Sequence, residues 1–164
     1  MEIRKEKIVY RRATADDIPA LIDYRVRFLR ELHDHPDDDE TKILRNSLLE
    51  YFTKAIPAND FVGWVADYEG KIIGTSGMVV WQIPARYGVE NGRLGYLLNF
   101  YTIPEARRKG IGTRLLIELI REAESIELKT LHLHATEDGI NIYRKAGFVE
   151  PEQPELVLKL KHPP

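Results

Sequence analysis

The chain has 164 residues, 43% of them apolar, and a formal net charge of −2 at pH 7. That length fits one domain with a real hydrophobic core, and the near-neutral balance excludes a general electrostatic pull toward nucleic acid or an anionic membrane. The absence of cysteine excludes disulfides, thiolate metal sites and a cysteine nucleophile, and a cytoplasmic location is expected; residues 1–7 lack the apolar core of a signal peptide, and no apolar run approaches the ~20 residues that span a bilayer.

Ile8 to Ala13 reads as a first strand. Thr14 follows as a helix N-cap, with Asp17 three residues on as its capping-box acid. Ile18, Leu21, Ile22, Tyr24, Val26, Phe28 and Leu29 keep a helical period to about Leu32. His33 to Glu40 is an acidic connector. A second helix is expected from near Thr41 to Lys54, with Ile43, Leu44, Leu48, Leu49 and Phe52 apolar, broken by Pro57-Ala58-Asn59-Asp60. Phe61–Tyr68 and Lys71–Trp81 form a hairpin around Glu69-Gly70. Arg93–Thr102 is the next strand, ended by Pro104. A helix then starts near Ile111, with Leu115, Leu116, Leu119, Ile120 and Ala123 on one face and Arg114, Glu118 and Glu122 on the other. Thr130–Ala135 is a strand, Glu137–Lys145 a short helix stopped by Gly147, and Leu156–Leu160 a last strand. The order β-α-α-β-β-β-α-β-α-β predicts an α/β (α+β) fold, a mixed, mostly antiparallel sheet with helices on both faces.

The most informative stretch is Arg107-Arg108-Lys109-Gly110-Ile111-Gly112. It lies between a strand and a helix start, where backbone N–H groups lack partners and the macrodipole is positive. Glycines there let an anion approach the backbone, and three cations stand beside it. The turn reads as a seat for a polyanion such as a pyrophosphate. It is not a P-loop, because Thr113 and Arg114 follow Gly112 where Lys and Ser/Thr would be needed. A dinucleotide fingerprint is excluded too, because Leu115 stands where its third glycine or alanine belongs.

With Arg107, Gly110 and Gly112 in a Gln/Arg-x-x-Gly-x-Gly/Ala pattern, and Tyr143-Arg144-Lys145-Ala146-Gly147-Phe148 further on as a Tyr-x-x-x-Gly-Phe, the chain resembles the GNAT superfamily of acyl-CoA-dependent N-acyltransferases over nearly its whole length. Ala106, Thr136 and Gly139 depart from residues frequent in that family. The resemblance implies acetyl-CoA as cosubstrate. It implies that pantetheine amides pair with backbone at Phe100, Tyr101 and Thr102, as an added strand would. It also implies a pyrophosphate on the N–H groups of Arg108, Lys109, Gly110, Ile111, Gly112 and Thr113, with Arg107 and Thr136 among the cofactor contacts. Tyr143 becomes the candidate general acid toward the CoA sulfur.

Acyl transfer to an amine also needs a proton acceptor. Leu94–Thr102 and Leu131–Ala135 contain no carboxylate, so His132 and His134, two residues apart, are the candidates, with His134 named as the catalytic one. Asn99, a polar residue in an apolar strand, is a candidate for orienting substrate. Glu137 and Asp138 read as helix-start acids, and His33–Glu40 as a solvated connector with no second cluster to complete a metal cage; its carboxylates are expected to favour a cationic amine. The expected activity is transfer of acetyl to the primary amine of a small molecule, with no nucleic-acid or membrane partner and a homodimer as the open assembly. Three alternatives stand beside it: acetylation of a protein N-terminus or lysine, a non-catalytic CoA-binding regulator, and a nucleotide-binding domain.

Overall fold

The computed structural model describes residues 3–160, and the chain divides into two compact units, Met1–His134 and Ala135–Pro164. The first unit is built on a five-stranded sheet in sequential order. Its strands are β1 (Ile8–Arg12), β2 (Phe61–Tyr68), β3 (Lys71–Gln82), β4 (Arg93–Thr102) and β5 (Leu131–His132). β1 to β4 pair antiparallel and β5 joins β4 in parallel. Three helices complete the unit: α1 (Ile18–His33), α2 (Asp39–Ala58) and α3 (Ile111–Ser125).

Alternation along the strands sorts the helices onto opposite faces. Phe61 and Val65 of β2 share a core with Leu21, Ile22 and Val26 of α1 and with Phe52 and Ala55 of α2. Trp64 and Ala66 point the other way: the Trp64 indole N–H donates to Glu122 of α3 at 3.2 Å, and Ala66 shares a core with Ile111 and Leu115. Gly74, opposite Ala66, is where α3 approaches closest, since a Cβ there would stand 2.9 Å from Ile111 Cγ2.

Local chemistry explains the boundaries. The Thr14 N–H and hydroxyl both donate to Asp17 Oδ2, at 2.8 and 3.2 Å, fixing the 3₁₀ turn Ala15–Asp17 that leads into α1. Asp38 Oδ1 accepts from the Thr41 N–H at 3.1 Å, so α2 starts at Asp39, two residues earlier than the apolar pattern implies. It also runs past Lys54 to Ala58, with Pro57 in its last turn and Asn59 as a left-handed cap at φ 58°. Leu44, Leu48 and Phe52 pack inward, whereas Ile43 and Leu49 are exposed. Glu69 and Gly70, both at positive φ, make the tight hairpin turn between β2 and β3.

Three expectations are corrected. Glu118 and Glu122, expected on the face of α3 opposite its apolar one, are not left to solvent: Glu118 is buried and pairs with Arg114 at 2.6 Å and Arg121 at 3.3 Å, while Glu122 receives the Trp64 indole N–H and stands 3.6 Å from Arg12. For Glu122, β1 and β2 supply partners that a helix-only pattern does not reveal. The strand expected over Thr130–Ala135 shrinks to Leu131–His132, because its pairing with β4 covers only Gly95–Leu131 and Tyr96–His132. The strand expected over Leu156–Leu160 does not form. Those residues are exposed and join no ladder, and apolar alternation makes a strand only where a neighbour takes its backbone groups.

Among its described residues the second unit holds one helix, α4 (Ile140–Lys145), shorter than the expected Glu137–Lys145. Thr136 organises its start, its Oγ1 accepting from the Gly139 N–H at 3.2 Å and its carbonyl from the N–H groups of Gly139 and Ile140. Gly147, at φ 96°, ends it, and the Phe148 N–H returns to the Tyr143 carbonyl at 3.1 Å. Among the described residues no helix is long and apolar enough to cross a membrane.

Candidate active site

The turn from β4 to α3 takes the shape expected of an anion seat. Ile103-Pro104 ends the strand, a 3₁₀ turn spans Pro104–Ala106, and Arg108 and Gly110 adopt left-handed backbone at φ 61° and 85°. The first helical hydrogen bond runs from the Arg114 N–H to the Gly110 carbonyl at 3.0 Å, so the amides of Ile111, Gly112 and Thr113 precede the ladder. Gly110 caps the helix without a side-chain oxygen, and a Cβ there would meet nothing within 4 Å. Arg108 and Thr113 are exposed and Lys109 is half-buried beside this open space.

Arg107 stands apart from its neighbours. Its Nε donates to the Thr102 carbonyl at 3.0 Å, its Nη2 donates to Glu31 Oε2 at 2.9 Å, and its guanidinium lies 5.4 Å from the Tyr101 ring centroid. The Tyr101 hydroxyl donates to the other oxygen of Glu31 at 2.6 Å. Burial, reinforced by Glu31, pushes the Tyr101 phenol up to about 12. Burial alone would raise the Glu31 carboxyl, but the bonds from Tyr101 and Arg107 outweigh it and the net shift is downward. Arg107 thus fastens the end of β4 to α1, and its guanidinium is directed to Glu31. Glu31 has no signature in a single sequence, because its partners are 70 and 76 residues away.

β4 and β5 form a fork. Their parallel pairing ends at Tyr96–His132, while β4 continues through Phe100 and Tyr101 to Thr102. On its other side, β4 carries a bulge where the register with β3 shifts between Thr75 and Gly77. Asn99 sits at the bulge with φ 61°, a conformation asparagine tolerates better than most residues. Its side chain is buried on the α1–α2 face; Nδ2 donates to the Leu21 carbonyl at 3.4 Å and Oδ1 has no hydrogen-bond partner among the described residues. The Thr75 hydroxyl secures the bulge by donating to the Asn99 carbonyl at 3.0 Å.

The fork also gathers aromatic and basic groups. Trp81 stacks on Tyr96 with centroids 4.7 Å apart and planes 15° from parallel. The Tyr96 hydroxyl shares a hydrogen bond with His134 Nδ1. His134 lies just beyond β5, and His132, in β5, is exposed. Tyr96 and Trp81 belong to the apolar-strand patterning and were not distinguishable there as site residues.

In the second unit Tyr143 packs edge-on against Phe148 at 5.9 Å. Burial pushes its phenol up to about 12. Thr136 is occupied in capping α4, as described above.

The acidic connector is locally committed. Arg30 stands 3.5 Å from Asp37, Asp38 caps α2, Lys42 pairs with Asp39 at 2.8 Å, and His35 meets Glu40 at 3.2 Å. Among the described residues no cluster of three or more His, Asp or Glu could hold a metal ion.

Comparison with known proteins shows what the chain is similar to. The profile of the acetyltransferase (GNAT) family matches residues 19–148. A solved structure of a predicted acetyltransferase with acetyl-CoA from Clostridium acetobutylicum is 31% identical, with a TM-score of 0.82 over 94% of this chain and 96% of that one. A GCN5-related N-acetyltransferase from Ralstonia eutropha JMP134 shares the fold at 22% identity and TM-score 0.80, covering 92% and 98% of the two chains. An aminoglycoside acetyltransferase from an uncultured soil metagenomic sample shares it at 19% identity and TM-score 0.69, covering 96% and 99%. No curated protein matches the chain in sequence.

Proposed function

We propose, from the premise that this chain belongs to the GNAT acetyltransferase family, that it transfers the acetyl group of acetyl-CoA to the primary amine of a small molecule, both substrates being bound together. The observation that carries this reading is the uncapped start of α3, with Gly110 in left-handed backbone and open space where a Cβ would stand, directly after β4 has run on past the end of its pairing with β5.

The residues present fit the cosubstrate. The amides of Ile111, Gly112 and Thr113 would receive the pyrophosphate, with Arg108 and Lys109 balancing its charge. The β4 backbone from Phe100 to Thr102 would receive the pantetheine amides. Arg107 would act indirectly, by holding Thr102 and Glu31. Acetyl-CoA, when bound, supplies the activated thioester. In the net transfer a bond forms between the amine nitrogen and the acetyl carbon, the carbon–sulfur bond breaks, the nitrogen loses a proton and the sulfur gains one.

The chain's own groups must handle those two protons. An alkylammonium of pKa about 10.4 is neutral in only about one molecule in 2,500 at pH 7, a cost of about 4.6 kcal/mol. We assign the acceptor of that proton to His134, since a neutral imidazole carries one unprotonated nitrogen that can take a proton and Tyr96 holds this ring by its Nδ1. For Tyr143 the support is the sequence motif together with its own protonation. A phenol at about 12 stays protonated through the neutral range. Full transfer to a thiolate of pKa about 8.5 is uphill by about 5 kcal/mol, so its contribution is a hydrogen bond to the developing sulfur charge.

Gly110→Asp tests the seat, since the new carboxylate would enter the open space and repel an anion. Calorimetry should show acetyl-CoA affinity falling at least about 100-fold with the circular dichroism spectrum retained. Unchanged affinity would remove the reading. Thiol release measured over a panel of amines tests the transfer itself.

A further inference from the structure

Three arginines lie along α1, and two of them have acidic partners. Arg27 pairs with Asp23 at 2.9 Å and Arg30 faces Asp37 at 3.5 Å. Arg25 has neither an ion pair nor a hydrogen bond among the described residues, although it is half-buried. A guanidinium withdrawn from water without a counter-charge is expensive, because its hydration is lost and no Coulomb attraction offsets the loss. Burial accordingly pulls the Arg25 pKa below the usual arginine range, with Tyr96 opposing the shift. Such a group persists where a ligand completes it.

Its position indicates which ligand. α1 lies along β4 on one face of the sheet, tied there by the Asn99 amide on the Leu21 carbonyl and by Tyr24 stacked on Tyr101 at 5.3 Å. Arg25 is one turn beyond Leu21, on the same side of the helix. In the β3–β4 register Val79 faces Tyr96, so Tyr96, Val79 and Trp81 share that face, with Asn99 buried on it too. The anion seat at α3 belongs to a different location. Glu31, which holds Arg107 beside the seat, is six residues further along α1, about 9 Å at 1.5 Å per residue. Arg25 thus stands back from the pyrophosphate end, above the part of the fork where Tyr96 and His134 meet.

We infer that Arg25 receives an anionic group of the acetyl acceptor, and that the acceptor is an amine bearing a carboxylate, in the manner of an amino acid. This rests on the acetyltransferase reading above. One planar guanidinium matches one carboxylate through two parallel N–H···O bonds. A phosphate dianion would call for a second cation, and Arg27 and Arg30 are already paired. The exposed edge of the Trp81–Tyr96 stack gives the acceptor's apolar part a surface to lie on.

The test uses matched pairs of probes: amino acids against their carboxamides as acceptors, and N-acetyl amino acids against N-acetyl amino acid amides as ligands of the CoA-loaded protein. Wild type should favour the carboxylate member at least about 10-fold in kcat/KM and in calorimetric affinity. Arg25→Gln should erase that preference while acetyl-CoA affinity stays within about two-fold, and Arg25→Lys should restore part of it. The inference is overturned if carboxamides or polycationic amines are preferred, if no carboxylate probe binds the CoA-loaded wild type, or if the preference survives in Arg25→Gln. Arg25-dependent carboxylate binding without any acetyl transfer would instead overturn the catalytic reading and leave the anion site standing.

Discussion

Tyr143 shows how burial changes the chemistry open to a single side chain. Withdrawal from water disfavours its phenolate and raises the phenol to about 12. The sign matters for the proposed role: a donor to the sulfur must be protonated, so a raised pKa would extend the active window upward. Tyr143→Phe should lower kcat about 100-fold with acetyl-CoA affinity unchanged, and the ratio of wild-type to variant kcat should stay flat from pH 6 to about pH 10. A ratio that collapses near pH 9 would show the phenol titrating in the working range and would remove its role as a donor. Asp17 obeys the opposite sign. Burial would raise it, but two bonds from Arg11, at 2.7 and 2.8 Å, and the Thr14 N–H outweigh that, so its pKa falls below the ordinary carboxylate range. That contribution to stability is present above pH ~4 and is lost as pH falls through the lowered value.

Among the elements, the contact between β3 and Phe61 of β2, on the face covered by α1 and α2, leaves little room for change. A Cβ on Gly77 would stand 2.3 Å from Phe61 Cζ. Phe61 is itself locked, 1% exposed and edge-on to Phe52 at 4.8 Å. Gly77→Ala should therefore cost about 1–3 kcal/mol through overpacking, read as a lower urea midpoint with the same slope; a change below ~0.5 kcal/mol would mean the Phe61 ring moves freely. Elements with strong local signals were legible in the sequence: the Thr14–Asp17 box, the Glu69-Gly70 turn, the full extent of β4 and the start of α3. What escaped were features set by distant partners. The Asn99 bulge depends on the register with β3, Glu122 turns to the sheet because Trp64 of β2 and Arg12 of β1 meet it, and Arg25 becomes conspicuous only when its neighbours prove to have acids and it does not. A weak signal for Arg25 existed, a charge one turn after Leu21 on the apolar side of a helix.

At the scale of the whole molecule, the meander of β2, β3 and β4 arises from near neighbours in the chain, whereas β5 reaches β4 only after the α3 crossover and then pairs through two residues. Short-range contacts close first because their loops cost less entropy. The expected order of assembly is therefore the meander with its helices, then β5. By the same reasoning β5 opens first in the native state. Native-state hydrogen exchange should show the amides of Leu131 and His132 opening at a lower free energy than those of β3; equal protection would contradict this order. The brevity of that one parallel contact thus leaves the fork as the last region to be assembled and the first to be released. A cosubstrate lying along β4 would then slow the exchange of β5 more than that of any other strand.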